Sequence, residues 1–133
     1  TIGSGARHIA QIGIGMSDFK LADFEARFAD IIWEKEPVSS PELVKICEKE
    51  LNWKKSTTYT VLKKLIDKGI FQNNDTIVTS KLSREAFYGQ QSRLYVEETF
   101  GSLPKFLTAF FQGRKLSRKE AEELKSYIER FGE

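Results

Sequence analysis

The sequence predicts a mainly α fold that carries one small two-stranded β hairpin. Three observations predict it. Apolar residues recur at helical spacing through most of the chain from residue 23 onward. Ser, Asp and Gly residues stand where helices should start and stop. Between two helical stretches lie the β-prone runs Ile70-Phe71-Gln72 and Thr76-Ile77-Val78-Thr79, with Asn73-Asn74-Asp75 as the hairpin turn.

Residues 1–15 hold four of the nine glycines and fit neither template, and Met16 is the only methionine. They are expected to be an appended, disordered leader, with the native chain beginning at Met16. Asp23 can cap a first helix running to about Glu34, with Phe24, Phe28, Ile31 and Ile32 as its buried stripe. Pro37 then disfavours helix in the residue before it. Ser39 and Glu42 have capping-box spacing, with Pro41 in the first turn, and open a second helix. Its Leu43, Val44, Ile46, Cys47 and Leu51 are expected inward. A third helix begins near Ser56, turns Thr58, Val61, Leu62, Leu65 and Ile66 inward, and ends at Gly69 as a left-handed C′ residue. Three short helices with tight turns, followed by the hairpin, make a winged helix-turn-helix unit, placed at residues 16–82.

The remainder, residues 83–133, reads as three further helices. Ser83 caps one running to about Phe100, with Phe87, Leu94 and Tyr95 among its apolar positions, and Gly101-Ser102 interrupts. Leu103, Phe106, Leu107, Phe110 and Phe111 follow at i, i+3, i+4, i+7, i+8, up to Gly113. Ser117 and Glu120 form a second capping box, with a staple from Leu116 to Ala121, before the stripe Ala121, Leu124, Ile128, Phe131. Three helices exceed what the winged unit needs. Burying each large apolar side chain is worth roughly 1.5–3 kcal/mol, and two flanking helices poorly cover three phenylalanines and two leucines within nine residues. A second copy is therefore the expected cover, with the three helices folding back to enlarge one monomeric core as the alternative. Phe87, Leu94, Leu103, Phe106, Leu107, Phe110, Phe111, Leu124 and Ile128 are the candidate dimerisation residues.

The outer face of the third helix carries Ser56, Tyr59, Thr60, Lys63 and Lys64, and no carboxylate before Asp67. Hydroxyls can donate to phosphates or base edges, and lysines neutralise phosphates. A lysine-bearing face is more often only solvated, but the flanking helices and hairpin favour a DNA recognition helix. Ser56, Thr57, Tyr59 and Thr60 would read or position on the major groove, with Lys55, Lys63 and Lys64 on phosphates. Asn73, Asn74 and Asp75 bring no positive charge to the wing tip. A protein-interaction module is the alternative.

Composition narrows the field further. Of 133 residues 40% are apolar and 30% charged, which suits a globular protein rather than a disordered one. Net charge is only +2, so DNA affinity must come from local segregation: residues 53–68 hold five lysines against one aspartate. Cys47 and His8 are the only residues of their types, which excludes a disulfide framework, cysteine or histidine metal clusters and Ser-His or Cys-His catalysis. No cofactor, metal or catalytic residue is expected. The single cysteine fits a reducing, cytoplasmic setting, and no apolar run is long enough to span a membrane.

With these elements placed, the chain resembles the bacterial penicillinase-repressor family, with the copper-responsive repressors among its relatives. The resemblance is carried by Phe24-Glu25, Ile31-Ile32-Trp33 and Val38-Ser39. It continues through Trp53-Lys54-Lys55-Ser56-Thr57-Thr58-Tyr59-Thr60-Val61-Leu62, Leu65, Lys68-Gly69 and Ser83-Arg84-Glu85. Phe100-Gly101, Leu116-Ser117 and Glu122-Glu123-Leu124 extend it, to cover residues 18 to 131 or so. It implies an N-terminal winged helix, a C-terminal helical dimerisation region, and a homodimer that binds a palindromic operator and represses nearby genes. Ser56, Thr57, Tyr59, Thr60 and Lys64 match the family's DNA-facing positions, the place of Tyr59 being often basic. There are departures. Ala26 stands where the family usually has Trp, the wing is shorter, and the cysteine pairs of the copper-responsive relatives are absent. A membrane sensor protease cuts the β-lactamase repressors of the family. The matching bond is near Ala109-Phe110, without their asparagine, so no sensor protease or other inducer is identified.

Overall fold

Helix α1, Asp23–Lys35, opens without a side-chain cap from Asp23. Ala22 is the capping residue, and its N–H donates to Glu25 Oε1 at 2.8 Å, so Glu25 supplies the reciprocal half of a capping box. This changes the expected stripe. Phe28, Ala29 and Ile32 are buried, but so is Glu25, while Phe24 is 47% exposed and meets the edge of Trp53. The computed structural model describes residues 19–132, so the expected leader at 1–15 and the start at Met16 lie outside the described residues.

Strand β1, Val38–Ser39, leads into α2, Ser40–Leu51, where Ser39 Oγ accepts the Glu42 N–H as the capping-box spacing requires. Asn52 takes the left-handed conformation after α2, and the Trp53 N–H donates to the Cys47 carbonyl. That turn delivers the chain into α3, Lys55–Asp67, and lays Trp53 against Phe28. Lys68 follows as the C-cap, and Gly69 has φ +84, the left-handed stop read from its position.

The wing is β2, Phe71–Asn74, paired with β3, Ile77–Ser80. Two details differ from expectation. The turn is Asp75-Thr76, both at positive φ, so Asn73 and Asn74 belong to the strand. The sheet also has three strands rather than two, because β1 pairs antiparallel with β3 in the order β1-β3-β2. Ser80 N and Oγ donate to Glu36 Oε1 at 2.8 and 2.9 Å, tying the end of α1 to β3.

Helix α4, Arg84–Phe100, begins on the Ser83 cap and ends at Gly101. Its stretch from Arg84 to Leu94 completes the N-terminal core. Phe87 and Leu94 are buried among Phe19, Phe28, Ile32, Phe71 and Val78, and Trp33 Nε1 donates to the Leu82 carbonyl. Phe87 and Leu94 are therefore core residues of one chain, closed to a partner, and the expected boundary at 82/83 does not divide the packing. Helix α5, Leu103–Phe110, sets the Phe106 ring edge-on to Phe100 of α4. Helix α6, Arg118–Phe131, has the Ser117–Glu120 capping box but buries no residue. Among the described residues no helix is long and apolar enough to cross a membrane.

Candidate nucleic-acid interface

Helix α3 has two faces because its apolar residues fall on one side at about 100° per residue. Thr58, Val61, Leu62 and Leu65 are buried, and Thr58 Oγ1 donates back to the Lys54 carbonyl. Cys47 packs in the same core, where burial, opposed by a Thr58 hydrogen bond and assisted by Glu50, pushes its thiol up to about 11. The inward side is thus closed and uncharged.

The outward side holds Lys55, Ser56, Thr57, Tyr59, Thr60, Lys63 and Lys64, all exposed. Ser56, Thr60 and Lys63 lie along its middle, with Tyr59 on one flank and Thr57 and Lys64 on the other. The Lys55 ammonium sits 6.0 Å from the centre of the Tyr59 ring. At its start α3 has no side-chain cap on Lys54 and no acidic residue in the first turn. Its open amides and the positive end of its dipole therefore face solvent, an arrangement that suits an anion such as a phosphate.

A model of the penicillinase repressor family matches residues 21–130, most of the chain and all of this interface. The chain belongs to the penicillinase repressor family. It is also similar to a penicillinase repressor of Bacillus licheniformis, at 23% identity over 115 residues, covering 83% of this chain and 90% of that protein. Penicillinase repressors are DNA-binding transcriptional regulators, and the winged-helix architecture agrees with membership.

Within this family member the lysines of α3 do not share one environment. Lys63 pairs with Asp67 one turn on, 3.0 Å away, with side chains 77% and 64% exposed. Such a pair is worth about 0.3–0.5 kcal/mol and is easily exchanged. Lys64 instead reaches Glu25 Oε2 of α1 at 2.8 Å, where the carboxylate side chain is only 4% exposed. The contact is a close ion pair. Burial pushes the Glu25 carboxyl up, but Lys64, the Ala22 N–H and the field of Lys68 outweigh it, and the group lies below its ordinary value of 4.5. Sequence reasoning had no place for Glu25 in the site. Its position three residues after the cap marks a capping box, but only the fold brings Lys64 to its other oxygen.

The candidate dimerisation residues separate too. Phe87 and Leu94 are in the core, Phe106, Leu107 and Phe111 are half-buried, and Leu103, Phe110, Leu124 and Ile128 stand in solvent. Tyr127 and Phe131 on α6 are exposed beside them.

Proposed function

We propose that the chain is a sequence-specific repressor that binds a palindromic operator in double-stranded DNA as a homodimer. Helix α3 enters the major groove, with Ser56, Thr57, Tyr59 and Thr60 reading or positioning on base edges and Lys55 and Lys63 on phosphates. The observation that carries this is the division of α3: one face packed into the core, the other a row of hydroxyls and ammonium groups with an uncapped N-terminus. The wing tip, Asn74 to Thr76, is exposed and brings no cation, so the helix supplies the affinity.

Two recognition helices must be held about one DNA turn apart. The open apolar residues of α5 and α6 support a second copy as their cover, since Leu103, Phe110, Leu124, Tyr127, Ile128 and Phe131 remain in solvent in one chain. On this reading residues 16–82 with α4 as far as Leu94 form the DNA-binding unit, and the rest of 83–133 pairs the copies.

Titration against the DNA upstream of its own gene, at two salt concentrations beside a scrambled duplex, is the test. Binding should favour the upstream DNA and weaken steeply with salt. Thr60→Ala should reorder the preference among sequences, whereas Lys63→Ala should weaken all duplexes alike and flatten the log–log salt slope by about 0.9 per protomer engaged. Absence of binding at low salt would leave a winged-helix protein-interaction module.

A further inference from the structure

Lys64 occupies a DNA-facing position yet is held by the protein. Its partner is the difference. If a phosphate draws Lys63 away, Asp67 turns into the solvent that already surrounds it. If a phosphate draws Lys64 away, the Glu25 carboxylate, 3% exposed with Lys64 in place, loses its ion-pair partner and keeps only the field of Lys68. One Glu25 oxygen is also committed to the Ala22 N–H at the start of α1, so the side chain cannot follow the lysine outward. Separating a buried carboxylate from its partner costs more than one surface phosphate contact repays.

Granted that α3 binds DNA as proposed above, we infer that Glu25 is a positioning residue that acts through Lys64, holding its ammonium back from the phosphates. The pair presents no net charge to the duplex. Phosphate neutralisation adds affinity for every sequence equally, whereas the hydroxyl face of Ser56 and Thr60 distinguishes sequences. Removing one cation per protomer from the first term leaves the second intact. Glu25 thereby lowers the salt-sensitive affinity for operator and bulk DNA alike, and the ranking of sequences stays with the hydroxyl face. In a chain with five lysines between residues 53 and 68, that restraint has a clear use.

Salt titrations of the full chain test this on the upstream duplex and a scrambled one, between ~50 and ~200 mM salt, where phosphate contacts dominate the change. E25Q keeps the shape and the acceptor for the Ala22 N–H but drops the charge. It should steepen the log–log slope by about 0.9 per protomer engaged on both duplexes and leave the upstream-to-scrambled ratio unchanged. K64M, and the doubly neutral E25Q/K64M, should keep the wild-type slope. Circular dichroism identifies any variant that fails to fold, and the double substitution then stands in for K64M. An unchanged slope in E25Q, or a slope shallower by about 0.9 in K64M or the double variant, overturns the inference while leaving α3 as the DNA-binding helix. A wild-type chain with no salt-dependent binding overturns the DNA reading itself, and this inference with it.

Discussion

Glu25 shows how one side chain can serve two helices. It closes the first turn of α1 through the Ala22 N–H and restrains α3 through Lys64. Because its folded value is lowered, its contribution to stability is complete above the ordinary 4.5 and is lost as pH falls through the lowered value. Thermal melts should therefore show the wild type losing stability on the acid side and E25Q declining less steeply there; parallel acid limbs would contradict this. Cys47 makes a second residue-scale case. Wholly buried, with its thiol pushed up to about 11, it should resist alkylation at neutral pH in the folded chain and react only on unfolding. Rapid labelling of native protein would show the site to be open. Phe87→Ala, at a position with no exposure, should cost about 3–5 kcal/mol in denaturant unfolding, as a large core ring does. A loss under 1 kcal/mol, the scale of a peripheral ring, would argue that it belongs to an interface instead.

At the scale of elements, the caps and stops follow from local chemistry and the wing does not. Ser39, Ser83, Ser102 and Ser117 each accept an N–H from the third residue on, and Gly69, Gly101 and Gly113 all take positive φ. Local chemistry places the hairpin turn at Asn73-Asn74-Asp75, because Asn tolerates the left-handed region. The register instead places Phe71 and Val78 in the core, and this forces Asp75 and Thr76, at φ 51 and 70, into the turn. A β-branched residue is strained there. Thr76→Gly should raise stability by about 1 kcal/mol, visible as a higher melting temperature, and an unchanged or lower one would refute the strain.

For the whole molecule the decisive contrast is between a filled N-terminal core and an open C-terminal face. Nothing in α6 is buried, and Ile128 and Phe131 are 64% and 78% exposed. Ile128→Glu should therefore leave the melting of the core unchanged while converting a dimer to a monomer in sedimentation and weakening operator binding. A monomeric wild type would instead leave these residues to some other partner.

The sequence by itself determined the order and kind of nearly every helix, the outward face of α3 and the family resemblance that the family match supports. These are legible because periodicity, capping and turn chemistry act over a few residues. What only the tertiary structure decided is non-local. The strand β1 joined the wing because Val38 met Val78 across the fold, and Phe87 and Leu94 went to the core because α4 folds back over α1 and the sheet. Lys64 lost its freedom to a carboxylate on a different helix. A helical pattern states which side of an element is apolar or charged, but the energy of burying it depends on what lies opposite, and that is set by packing alone.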